Sequence, residues 1–247
     1  MKKYKLLKND RIIHQGHTLY RIQALKDIYN YYTNFLVMKG TKGGYIESEK
    51  NLDQMNSCWV GGNAKVYGNA KVTTYAVVKD NAEVFDNAVV GGDARVWGNA
   101  KIYGNAKIHG EAKVYGNAEV FENAKVFDEA RIYDNAKVHG YALVFNEAQV
   151  RGNAVVKDNA RVLNSAIVED EALLVENAQV QGNARIKERE VLDWGKIVYH
   201  STDLETLRKE IIENLFEVRT KFFNDEAKEF LKKFIKEIHE EVLRRYF

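Results

Sequence analysis

Residues 98–120 read GNAKIYGNAKIHGEAKVYGNAEV, one six-residue phrase repeated almost unchanged, with Glu111 standing where the neighbouring phrases have Asn105 and Asn117. Self-similarity at a short fixed period is the mark of a stacked-repeat architecture, and here it runs far beyond the quoted stretch. From Val60 to Ile186 every sixth residue is Val, Ile or Leu, and two residues before each, from Ala64 to Ala184, stands Ala. No insertion breaks the phase. In an extended segment side chains alternate, so the Ala and the aliphatic residue share one side while Lys and Tyr of NAKVYG point the other way. Gly-Asn and Asp-Asn pairs between the segments predict corners, and Gly and Asn both suit the positive φ of a sharp bend.

Short strands of this kind are stable only when stacked, each coil pairing with those above and below at a spacing of ~4.8 Å. Column arithmetic sets the circumference. Steps of eighteen residues align Asp93, Glu111, Glu129 and Glu147 in one register and Lys65, Glu83, Lys101, Glu119 and Lys137 in another, whereas steps of twelve or twenty-four produce no comparable order. Three hexads per coil make an all-β solenoid, a triangular prism of about seven coils. The phrase VYGNAK resembles the hexapeptide repeat of left-handed β-helix proteins, and that resemblance, not the period, implies the hand and a homotrimer. The lead-in GTKGGYIESEKNLDQMNSCWVGGNAKV resembles, more loosely, bacterial and phage-associated hexapeptide-repeat proteins described as transferases or polymer-forming proteins.

The chain divides on this reading into three parts: a β cap over residues 1–56, the hexapeptide β-helix over 57–192, and a linker with a C-terminal α-helical hairpin over 193–247. In the cap, RIIHQG and HTLYRIQAL read as a hairpin around Gly16, and GGYIES as an irregular first coil. Glu190 and Lys196 fall in the small inward slot, so the prism is expected to stop there. Beyond Ser201 the period turns helical, with TDLE as a capping box and two apolar stripes, Leu204 to Phe222 and Phe230 to Tyr246. Outward slots late in the repeat turn apolar (Leu143, Phe145, Val155, Leu163, Ile167, Leu173 and Val175), and the helices are expected to cover them or a neighbouring subunit's.

The three outward walls differ. On the first, Lys65 to Lys137 alternate in sign beside an aromatic ladder of Tyr67, Phe85, Tyr103, Phe121 and His139, a self-satisfied arrangement. The second begins at the column of Asp93, Glu111, Glu129 and Glu147. Parallel to it run Arg95, Lys113 and Arg131, then Trp97, Tyr115 and Tyr133. Stacked like charges cost free energy unless something compensates them. Either the two charged columns bridge each other, or the wall is a protein interface, where Arg and aromatics concentrate. The third wall has Lys71, Lys107, Lys125 and Arg161 with His109 and Phe127, yet a net charge of only +2 argues against nucleic acid.

Catalytic signals are sparse. Acyltransferases resembling this repeat use coenzyme A or acyl carrier protein and a His base, with a loop projecting from the prism. No such loop interrupts this sequence, and of the six histidines only His109 and His139 lie in the repeat, on different walls. His109, beside Lys107, is the one candidate base. The three-His zinc site of related anhydrases lacks its ligand spacing here, and His14, His17, His200 and His239 read as surface or capping residues. Cys58 occupies a small inward slot and reads as structural. No stretch has the length of a membrane span, and the start MKKYKLLKND lacks an apolar core, so a cytoplasmic protein is expected. The expectation is therefore a rigid non-catalytic scaffold that binds a protein through the second wall, in one version a phage inhibitor of a bacterial defence protein. An acyltransferase using acetyl-coenzyme A on a sugar or amine, and a self-assembling structural element, are the alternatives.

Overall fold

The computed structural model describes residues 2–31, 34–187, 191–192 and 197–200 of the 247-residue chain. It is a β-solenoid of about 8 coils with 18 residues per coil, one more than column arithmetic suggested. The extra coil comes from the cap side, where Tyr45↔Lys65 and Ile46↔Val66 already pair in parallel before the hexads begin. Every later rung pairs residues eighteen apart, as in Glu83↔Lys101, Lys107↔Lys125 and Lys113↔Arg131. Three sheets result, of 11, 8 and 8 strands, one per wall; the coils pair in parallel throughout, and the 11-stranded sheet is extended by antiparallel pairing of Tyr4–His14, His17–Ala24 and Lys42–Ile46 at its cap end. Pairing also continues past Glu190: Val191–Leu192 joins Leu173–Leu174, and Ile197–His200 extends the third wall. Backbone ladders depend on strand geometry and tolerate a change of slot residue. The predicted helical hairpin lies outside the described residues.

The inward slots form one continuous core. Ala64 through Ala178 and Val60 through Val180 are fully buried, and Cys58 sits among them as a small residue. Three walls closing on a triangular interior leave room for a small and a branched side chain per strand, packed at crystal-like density. Burial pushes the Cys58 thiol pKa up, as expected for a structural cysteine.

The corners correct one premise. The positive-φ residue of each bend is the one before the Asn slot: Gly92, Gly98, Gly104 and Gly110 at φ 62 to 70°, and also Asp80, Asp86, Asp128 and Asp134. Asn99, Asn105 and Glu111 are not in that conformation. Asn is selected in its slot for another reason, a side-chain amide ladder. Asn69, Asn87 and Asn105 each donate to the Asn one coil up, ending at Asn123, at 3.0–3.2 Å along one corner. Asn81, Asn99, Asn117 and Asn135 do the same along another, ending at Asn153, at 3.0–3.3 Å. Each amide both donates and accepts, so the chain of bonds propagates through the stack. Where the bend residue is Asp, its carboxylate accepts the backbone N–H one coil up, as Asp86 does from Gly104 at 3.1 Å. Where it is Gly110, a Cβ would lie 2.6 Å from the Asp128 nitrogen, so glycine permits the close approach.

The cap is a hairpin of β1 (Tyr4–His14) and β2 (His17–Ala24), turned by Gln15 and Gly16 at φ 48° and 83°. Both central residues have positive φ, the geometry that matches strand twist in a two-residue loop. β3 (Ile28–Asn30) and β4 (Phe35–Val37) form a short antiparallel arm, and β5 (Lys42–Ile46) links β2 to the first wall. Trp59 is buried in the lowest described rung of the second wall, close to Gly43. Lys3 is buried as well. Its Nζ donates to the carbonyls of Asn56 and Cys58 at 2.6 and 2.8 Å, tying the N-terminus to the lead-in, and burial lowers its pKa against the pull of Cys58.

Candidate functional site

The eighteen-residue rung places all ten candidate contact residues together. Asp93, Glu111, Glu129 and Glu147 occupy the corner that leads into the second wall, and Arg95, Lys113 and Arg131 are register partners on consecutive strands. Trp97 stacks on Tyr115 with ring centroids 4.4 Å apart and 5° between planes, and Tyr115 on Tyr133 at 4.9 Å and 2°. The acid corner is the one corner of the three where the amide ladder is absent over these coils. Carboxylates only accept, so the slot that is self-bonding with Asn becomes a row of negative charge.

No salt bridge within 4 Å joins the acid column to Arg95, Lys113 or Arg131 among the described residues. The self-neutralising alternative is thus not the arrangement seen. Asp93 registers the strain: burial raises its carboxyl pKa, Glu111 adds to the rise and Arg95 opposes it. One Asp93 oxygen is buried with no hydrogen-bond partner among the described residues. Higher on the same wall the pattern changes. Glu169 is 95 % buried and receives the Arg151 guanidinium at 2.7 and 2.5 Å as well as Arg185 Nε. Arg151 also donates to the Tyr133 hydroxyl at 2.9 Å, closing the aromatic stack from above. Paired and unpaired charges therefore share one wall: Arg151, Glu169 and Arg185 pair above, while in the column from Asp93 to Glu147 the three glutamates are exposed and Asp93 alone has a buried oxygen without a partner among the described residues.

The first wall satisfies itself only in part. Lys65 meets Glu83 at 3.1 Å, Lys137 meets Glu119 at 3.8 Å, and Tyr67, Phe85, Tyr103, Phe121 and His139 stack at 4.5–5.2 Å, but among the described residues Lys101 makes no salt bridge and the Tyr67 hydroxyl is buried without a partner. The tip of the β1–β2 hairpin folds over its start, where His14 reaches Glu83 and His17 reaches Glu47. On the third wall the basic column is broken by Val89 between Lys71 and Lys107 and by Leu143 between Lys125 and Arg161. His109 is half-buried above Gly91, whose missing side chain leaves the imidazole room, and lies 6.3 Å from Phe127. Burial and then Lys107 lower its pKa, so the ring is neutral near pH 7. His139 is on the first wall. Among the described residues no group of three or more His, Cys, Asp or Glu is placed to hold a metal ion, and no helix is long and apolar enough to cross a membrane.

One contributor was invisible in the repeat. The β3–β4 arm lies against the lower second wall: Asn30, fully buried, donates to the Tyr75 carbonyl at 2.6 Å, and Phe35 comes beside Val77 and Trp97. Its other face exposes Tyr29, Tyr31, Leu36 and Met38. The alternation of IYN and FLV was the available signal, but nothing local says which wall such an arm will meet. No protein-family model matches this chain, and no curated protein sequence matches it either.

Proposed function

We propose that the protein is a rigid, non-catalytic scaffold of the left-handed hexapeptide β-helix kind that binds a protein partner through its second wall. The contact set is Asp93, Glu111, Glu129 and Glu147 with Arg95, Lys113, Arg131, Trp97, Tyr115 and Tyr133. The observation that carries this reading is the absence, among the described residues, of ion pairs between two stacked columns of opposite charge, on a wall whose upper charges Arg151, Glu169 and Arg185 do pair. A partner presenting complementary charge would relieve both columns at once, and the stacked rings offer a flat, pre-ordered apolar area at small entropic cost. Coils held by backbone ladders keep that surface rigid, so binding requires little reorganisation. The test is capture of one identified partner by wild type and by Arg95→Glu/Lys113→Glu/Arg131→Glu, with Lys71→Glu/Lys107→Glu/Lys125→Glu on the third wall as control. Loss of that partner only in the second-wall variant is expected. Equal capture by both variants would eliminate the second wall.

A further inference from the structure

Where the arm meets the second wall there is a half-enclosed cavity of about 210 Å³, lined by Phe35, Val77, Lys79, Arg95, Val96 and Trp97. Two rungs make its floor. Val77 and Arg95 are register partners, and Lys79 and Trp97 follow them in the next outward slots, also eighteen residues apart. The cations therefore lie on one diagonal and the apolar groups on the other, with Phe35 closing the side from the arm. Val77 points outward yet is only 4 % exposed, so the base of the cavity is apolar. Neither Lys79 nor Arg95 makes a salt bridge among the described residues, although Asp93 is near enough to feel the Arg95 charge. Asp80, next to Lys79 in sequence, accepts from the Gly98 N–H at 3.3 Å.

From this geometry we infer that the cavity is a binding site for a single aromatic ring bearing an oxyanion. The ring fits between Phe35 and Trp97 over Val77, and the anion meets Lys79 and Arg95. Size sets the class: an apolar void of roughly 150 Å³ holds benzene, while pockets for drug-sized ligands begin near 300 Å³. The space here takes one ring and its charged group. Charge and aromatic contact act together, since the guanidinium offers a planar fork to an oxyanion and the rings exclude water from it. Such a group arrives either on a free small molecule or as a phosphorylated tyrosine of a protein.

Isothermal titration with phenyl phosphate tests the inference, with inorganic phosphate and phenol as its two halves. Saturable binding of phenyl phosphate, tighter than either half by about tenfold or more, is expected, as is a loss of about tenfold in each of Lys79→Gln and Phe35→Ala. Absence of binding by phenyl phosphate, or binding that both variants leave unchanged, would overturn it. A short phosphotyrosine peptide distinguishes the sources: tighter binding than phenyl phosphate assigns a protein ligand, weaker binding a free molecule. Arg95 and Trp97 belong both to the cavity and to the proposed contact set, but the variants used here, Lys79→Gln and Phe35→Ala, lie outside that set, so failure of the titration leaves the partner-capture test unaffected.

Discussion

Replacing Asp93 by Asn removes the lowest charge of the acid column while keeping the shape of the side chain. In the structure Asp93 is partly buried, one of its oxygens has no partner, and Glu111 stands one rung above it. Two unit charges ~4.8 Å apart repel by about 0.9 kcal/mol at the dielectric of water and about 3.5 kcal/mol at an effective dielectric of 20. The outer carboxylates are exposed and screened, so the lower figure governs, and Asp93→Asn is expected to stabilise the protein by about 1 kcal/mol. For a chain of this size that raises Tm by roughly 2–4 °C. The assay is thermal unfolding followed by circular dichroism at pH 7 across a salt series. At 1 M salt the screening length of about 3 Å is shorter than a rung, so the gain shrinks. The pH dependence has a defined sign. A carboxyl with a raised folded pKa binds its proton more tightly folded than unfolded, so its stabilising share is present at low pH and lost as pH rises through the folded value. The advantage of Asp93→Asn is therefore full at neutral pH and closes as pH falls through that raised value towards 3.8. A destabilising Asp93→Asn, or a gain indifferent to both salt and pH, would refute the reasoning.

Asn105→Ala cuts the amide ladder on both sides, losing the bonds from Asn87 at 3.2 Å and to Asn123 at 3.1 Å. Both are exposed, so a loss of about 1 kcal/mol in total is expected by chemical denaturation, and an unchanged midpoint would remove the ladder as a source of stability. Gly43→Ala puts a Cβ 2.5 Å from the Val60 carbonyl oxygen and 2.7 Å from the Trp59 ring, and backbone must move to accept it. Overpacking of this kind costs about 1–3 kcal/mol, and limited proteolysis should cut the cap of this variant faster than that of wild type.

How much could be read without coordinates depended on repetition. The inward Ala and Val slots, the buried Cys58 and the rung of eighteen residues were all legible, because every coil imposes the same packing problem and the sequence answers it over twenty times in phase. The hairpin at Gln15 and Gly16 was legible from its turn chemistry. Corner slots were misread in part: the Asn of the Gly-Asn and Asp-Asn pairs was credited with positive φ, whereas the residue before that slot takes the conformation (Gly or Asp at most bends, Asn146 and Asn164 at two) and the Asn in the slot carries a ladder visible only once coils are stacked. The arm at Phe35 and the buried Lys3 were not legible at all. Each makes its contacts with residues far off in the chain and occurs once, so no period exposes it. The candidate wall was legible as columns, but the absence of pairing between them depends on side-chain distances.

Everything assigned to the second wall rests on residues eighteen apart standing one above the other. Cysteine cross-linking measures that directly, in a Cys58→Ala background that uses the residue the slot holds elsewhere. Neighbouring rungs fall within the Cα separation of roughly 4.4–6.8 Å that a disulfide spans. Glu111→Cys with Glu129→Cys is predicted to close rapidly under mild oxidant, and Glu111→Cys with Asn123→Cys or Asn135→Cys to stay open. Closure of either of the latter pairs in preference to the first would contradict the account.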